Sequence, residues 1–227
     1  MQLSLTEPRS GIPFLLLVYN LLLWENVVSV PMCAMRNGRC FMSLGDMIET
    51  AGDLSHDISE QISKLLARFE KHYAGVPNHN DTSLISCHTS SLSNPESKEK
   101  AMHTPYAVLL NSVHTLLAAW EHPMDHIVSK ITTLKNISVA LISKANRIKQ
   151  MNSGLQEGVN SLIDLILHGE EQNEKYPLWS GQASLQSNDE ETRIRAFHGM
   201  ISCLYNDFKK VDIYLNVLKC KNIQNSC

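Results

Sequence analysis

The stretch FMSLGDMIETAGDLSHDISEQISKLLARFEKHY, residues 41–73, decides the fold. Its apolar residues fall at 41, 44, 47, 48, 51, 54, 58, 62, 65, 66, 69 and 73, in steps of three and four over about nine turns. That period places one apolar stripe along a helix and lets the opposite face meet water. Ser43 can accept a hydrogen bond from the first free amides, and Asp46, three residues on, can return one, as in a capping box. Gly45 and Gly52 each cost such a helix about 1 kcal/mol relative to alanine, and the pattern does not explain them.

Three more helical patterns follow. The second runs from about Tyr106 through Val113, Leu117, Trp120, Ile127 and Ile131, with a kink expected at Pro123, which lacks a backbone donor. The third covers Val139, Ile142, Ala145, Ile148, Leu155, Val159, Leu162, Ile163 and Ile166. The fourth carries Ile194, Phe197, Ile201, Leu204, Phe208, Val211, Leu215 and Leu218 and is entered through the capping types Ser187, Asn188 and Asp189. No comparable period-two run occurs, so the chain is expected to be all-α with four principal helices.

Connection lengths then select a topology. The second and third helices are separated by only about four to six residues around Lys135, which makes them antiparallel neighbours. The connections over about 74–104 and 168–189 are far longer, and about 22–31 extended residues reach roughly 70–100 Å, past a 30-residue helix of about 45 Å. Long, short, long is the connectivity of an up-up-down-down, long-chain cytokine bundle with two long crossovers.

The N-terminus speaks to compartment. The run IPFLLLVYNLLLW, residues 12–24, is shorter than the roughly 20 residues of a spanning helix. Small residues at Val27 and Ser29 follow it, so residues 1–29 are expected to be a signal peptide and 30–227 a single secreted domain. Removing that leader leaves 19 basic against 21 acidic side chains, a balance that predicts no nucleic-acid partner and no anionic-membrane surface. No later stretch is long enough to insert in a membrane.

All six cysteines, Cys33, Cys40, Cys87, Cys203, Cys220 and Cys227, lie in the secreted part. An even count in an oxidising compartment means disulfides, and six allow 15 pairings. The spacings CAMRNGRC (33–40) and CKNIQNSC (220–227) invite two local hoops, leaving Cys87 and Cys203 to join distant parts. C-x₆-C is too wide for a zinc site, and a redox C-x-x-C is absent. No metal and no cofactor is expected.

Two N-glycosylation sequons stand, Asn80-Asp81-Thr82 and Asn136-Ile137-Ser138, both in expected connections. Asn94 is followed by proline, and Asn225 by Ser-Cys. Catalysis finds no support. His168-Gly169-Glu170-Glu171 has no second histidine at helical spacing, and neither a phosphate loop nor a G-x-S-x-G elbow occurs. Trp120 and Trp179 read as packing residues. The chain is not expected to be an enzyme.

CHTSSLSNPESKE (87–99), KYPLWSG (175–181) and DFKKVDIYLNVLKC (207–220) resemble the prolactin and growth hormone family, in its prolactin branch. PMCAMRNGRCFMS (31–43) and GMISCLYNDFKKVDIYLNVLKC (199–220) are similar to the rodent placental, proliferin-type members. The resemblance implies the pairing Cys33–Cys40, Cys87–Cys203 and Cys220–Cys227. It implies a secreted, glycosylated placental hormone that binds a single-pass, cytokine-type cell-surface receptor and triggers signalling.

On the same resemblance, one receptor surface is formed by the fourth helix, the later half of the first and the adjoining crossover, with His56, Tyr73, Lys209, Lys210 and Tyr214 as candidates. A second receptor would meet the first and third helices, where Gly158 matches a glycine that opens a shallow cleft. Prolactins carry a histidine where this chain has Ser59, two arginines where it has Tyr205 and Asn206, and a histidine where it has Lys209. Losing those basic and titratable groups argues against the prolactin receptor itself. The competing reading is a bundle-type extracellular carrier with an apolar ligand inside, which would need an enclosed apolar cavity.

Overall fold

Ser43 starts the first helix as the capping box predicts. Its Oγ accepts from the Asp46 amide at 3.1 Å while Asp46 Oδ2 accepts from the Ser43 amide at 3.2 Å. This computed structural model describes residues 34–36, 39–77, 86–167 and 182–222. The chain divides into two compact units between Met42 and Ser43.

In the first unit, β1 (Ala34–Arg36) and β2 (Arg39–Phe41) pair antiparallel, with Met35 opposite Cys40 and Arg36 opposite Arg39. The fold is all-α, as expected, and this short ribbon is an addition to it. Its sequence signal is Asn37-Gly38 between the strands, the dipeptide preferred in two-residue hairpin loops.

Among the described residues the helices lie in the second unit. These are α1 (Leu44–His72), α2 (Lys98–His103), α3 (Tyr106–Ala119), α4 (Glu121–Lys130), α5 (Val139–Leu167), α6 (Gln182–Leu185) and α7 (Glu190–Asn222). α1 packs on α7 and α5, and α3 packs on α5 and α7. Polar pairs fix the direction of α1 against α7: Glu49 and Asp53 meet Lys219, His56 meets Asp212, and Glu70 meets His198. As α1 advances α7 returns, so the two are antiparallel. Among the described residues no helix is long and apolar enough to cross a membrane.

The α1 stripe of Ile48, Ile58, Ile62, Leu65 and Phe69 is buried, at about 1.5–3 kcal/mol for each large side chain removed from water. Trp120, Tyr214, Phe69, Phe197 and Phe208 are the largest fully buried groups of the core. The carrier reading would place its ligand among these same side chains.

The second helical pattern breaks three residues before the proline. α3 ends at Ala119 and α4 begins at Glu121. Pro123 has no N–H for the Ala119 carbonyl four residues back. His88, in the 3₁₀ turn His88–Ser91, takes over and donates from Nε2 to that oxygen at 3.0 Å. A 3₁₀ turn at Ile131–Thr133 and residues 134–138 then lead into α5.

Cys87 and Cys203 are bonded across 116 residues, tying the first crossover to α7. Cys220 is also disulfide-bonded. Cys33 and Cys227 lie outside the described residues, as do Asn80, Trp179, residues 1–29 and the 168–171 cluster.

Candidate functional site

α1 and α7 do not meet flush along their outer edges. A groove of about 240 Å³ opens between them, lined by His56, Ser59, Glu60 and Ser63 from α1 and by Tyr205, Lys209, Asp212 and Ile213 from α7. Residues some 150 positions apart in sequence thus share one surface. Three of the four positions at which the sequence departs from the prolactin pattern, Ser59, Tyr205 and Lys209, line this groove. The fourth, Asn206, is exposed beside it on α7.

Polar contacts organise the groove. His56 Nδ1 lies 3.3 Å from Asp212 Oδ2 and its Nε2 4.0 Å from Glu60 Oε1, with the imidazole 64% exposed. Asp212 Oδ1 in turn accepts from Asn216 at 2.9 Å. Lys209 Nζ lies 5.3 Å from the centre of the Tyr205 ring, where the ring face attracts the cation. The hydrogen bond from Lys64 and its charge hold the Glu60 carboxyl below the usual carboxylate range. Exposed imidazole, ammonium and carboxylate within one concavity can grip a polar partner chain. The groove offers no activated nucleophile.

Two of the five candidates on this face are corrected. Tyr214 is 1% exposed and its hydroxyl donates to the Pro95 carbonyl. Tyr73 is 6% exposed and donates to the Lys135 carbonyl at 3.2 Å, its ring 4.8 Å from Phe69. Burial, aided by Asp207 for Tyr214 and by Glu190 for Tyr73, pushes each phenol up to about 12. A backbone carbonyl satisfying each hydroxyl makes that burial possible. The signal was present in the sequence, since Tyr214 falls three residues after Val211 and four before Leu218. Lys210 is half-buried and turns from the groove toward Asp207 Oδ1 at 3.1 Å.

On another face of α7 lies a network that the sequence reading missed. Asp207 is 2% exposed. Its Oδ2 accepts from Trp120 Nε1 at 2.9 Å and from Thr89 Oγ1 at 2.5 Å, and its Oδ1 accepts from Lys210. The His88 ring packs edge-on to Trp120 at 4.8 Å. A charged residue three positions after Leu204 and four before Val211 was the available clue.

Elsewhere, Asn136 is exposed in the α4–α5 connection with φ 57°, a left-handed conformation that asparagine tolerates. Gly158 is half-exposed on α5, and a Cβ built there meets nothing within 4 Å. Close packing of another helix therefore does not account for that glycine.

Comparison with known proteins agrees with this architecture. Residues 16–227 match the sequence model of the somatotropin hormone family. Over 217 residues the chain is 54% identical to prolactin-2C5 of Mus musculus, covering 96% of this chain and 95% of the relative. Prolactin-2C2 of Mus musculus is 52% identical over the same shares. Prolactin-2A1 of Rattus norvegicus is 42% identical over the full length of both chains.

Proposed function

The chain belongs to the somatotropin hormone family, and from that premise we propose that it is a secreted, glycosylated placental hormone that docks a single-pass, cytokine-type receptor on the α1–α7 groove. Members of this family are signalling hormones and not enzymes. One observation carries the proposal: His56, Lys209 and Asp212 share a solvent-open concavity built from both ends of the chain. Secretion rests on the leader-like residues 1–29, and glycosylation on Asn80 and Asn136. Placental origin rests on the resemblance of residues 31–43 and 199–220 to proliferin-type hormones.

The receptor is one other than the prolactin receptor. Ser59, Tyr205, Asn206 and Lys209 stand where prolactins carry histidines and arginines, so the charge-assisted partners that such a receptor expects are missing. Gly158 opens a second, shallow surface on α5. An arginine there has room to project without disturbing the helix, because open space surrounds the Cβ position.

The test is capture of the receptor from placental or endothelial cells with the glycosylated protein, followed by two variants. His56→Ala with Lys209→Ala weakens the first contact about tenfold or more if these side chains are interface anchors. Gly158→Arg leaves that first contact intact and prevents a second receptor from joining, which turns an agonist into a competitor. A groove variant that binds like the parent overturns the placement of the site. A Gly158→Arg protein that still assembles two receptors overturns the second surface.

A further inference from the structure

Lys64, Arg68 and Lys71 lie at spacings of four and three on α1, so they form one exposed stripe along its later half. The opening half of α5 brings Lys144 and Arg147 beside them. Lys144 Nζ reaches across to Gln61 Oε1 of α1 at 2.6 Å, joining the two faces into one surface. Burial, then the charges of Arg68, Lys64 and Arg147, hold the Lys144 ammonium below the usual lysine range. The cluster repels itself.

Its acidic neighbours do not neutralise it. Asp57 is engaged by Gln61 Nε2 at 3.0 Å and Glu60 by Lys64 at 2.5 Å. Arg68, Lys71, Lys144 and Arg147 have no ion pair among the described residues. Five cations against two carboxylates, in a chain of net charge −3, form a local concentration that overall composition conceals. Lys64 to Lys71 spans about 10 Å along the helix.

We propose that this α1–α5 face binds a sulfated polysaccharide, with the guanidinium forks of Arg68 and Arg147 gripping sulfates and Lys64, Lys71 and Lys144 flanking them. Arginine presents two parallel donors to a tetrahedral oxyanion, and lysine adds charge without fixed geometry. The five cations are exposed or half-exposed along two neighbouring helices, an extended row of charge that suits a repeating polyanion better than a folded acidic partner. The inference rests on the extracellular part of the proposed function, since sulfated polysaccharides are met outside the cell.

The experiment uses the full secreted chain and a heparin oligosaccharide at about 0.15 M salt, where only close charges still attract strongly. The parent binds, and its affinity falls steeply as salt rises. Arg68→Gln with Arg147→Gln weakens binding about tenfold or more through loss of two charge-assisted contacts. Arg68→Lys with Arg147→Lys retains part of it and shows that the surface is still folded. Lys98→Gln with Lys100→Gln removes the same charge from α2 and leaves binding within about twofold of the parent, because those lysines lie outside the patch. A parent that does not bind, a control pair that falls equally, or equal binding of unsulfated hyaluronan each overturns the proposal. His56→Ala with Lys209→Ala separates the two readings: it lowers receptor binding and leaves heparin binding as it was. Heparin binding without any receptor would sink the hormone reading alone, and the converse would sink this one.

Discussion

Asp207 and Asp212 are five residues apart on α7 and do opposite work. Asp207 is enclosed, and Thr89, Trp120 and Lys210, from three parts of the chain, all donate to it. The Asp212 side chain is 20% exposed and faces His56 across the groove. A buried carboxylate needs all its donors to offset lost hydration, so it rigidifies whatever it touches. A carboxylate at a rim keeps its water and stays available to a partner. One helix thus anchors the crossover with one acid and offers a binding surface with another.

The sharpest challenge to that contrast is the disulfide that shares the buried side. Replacing Cys87 and Cys203 together by serine frees a loop of 116 residues and is expected to cost about 4–5 kcal/mol in the chain-entropy model. Denaturant unfolding measures it. A loss below about 1 kcal/mol would mean that the Asp207 network holds the crossover unaided.

Asp207→Ala comes next, at about 3 kcal/mol, because it strands the Trp120 and Thr89 donors in the interior. Thermal unfolding should drop well below that of the parent. A loss under about 1 kcal/mol would show that water reaches these donors, and the buried side would then differ little from the groove.

The third test is by pH. Burial holds the His88 imidazole below the usual histidine value, against the opposing pull of the Ala119 carbonyl and Asp207. The folded chain therefore favours the neutral ring, while the unfolded chain takes a proton near pH 6.5. The contribution of His88 is fully present above about pH 6.5 and is lost as pH falls through its lower folded value. His88→Gln, whose amide can still donate to Ala119, should flatten that part of the stability curve. An unchanged curve would place the acid sensitivity elsewhere.

Smallest is Asp212→Ala, expected to cost about 1 kcal/mol, since His56 is open to water and Asp212 only partly buried. Receptor binding should fall all the same. If stability falls as far as in Asp207→Ala, the groove is structural and the comparison fails.

Local features were legible in the sequence. The Ser43–Asp46 box, the four apolar stripes and the lengths of the connections need only neighbours a few residues away. Asp207 was not legible as a hub, because Trp120 and Thr89 lie 87 and 118 residues from it. Neither was the groove, which exists only once α1 lies against α7. His88 is a further case, since sequence shows that Pro123 orphans a carbonyl but not which side chain relieves it. Tyr214 was a different kind of miss: its place within the apolar stripe marked it as interior, and a surface expectation carried over from related hormones overrode that local signal.

The antiparallel seam of α1 and α7 also sets an order of events during synthesis. The ion pairs along it join positions more than 120 residues apart, and such distant pairs form late because a long loop must close first. Ile58, Ile62, Leu65 and Phe69 leave the ribosome long before Val211 and Leu215 exist to cover them. The first helix must wait, greasy side outward, through most of translation, so the nascent chain is most vulnerable to aggregation in that interval. Completion of α7 ends it.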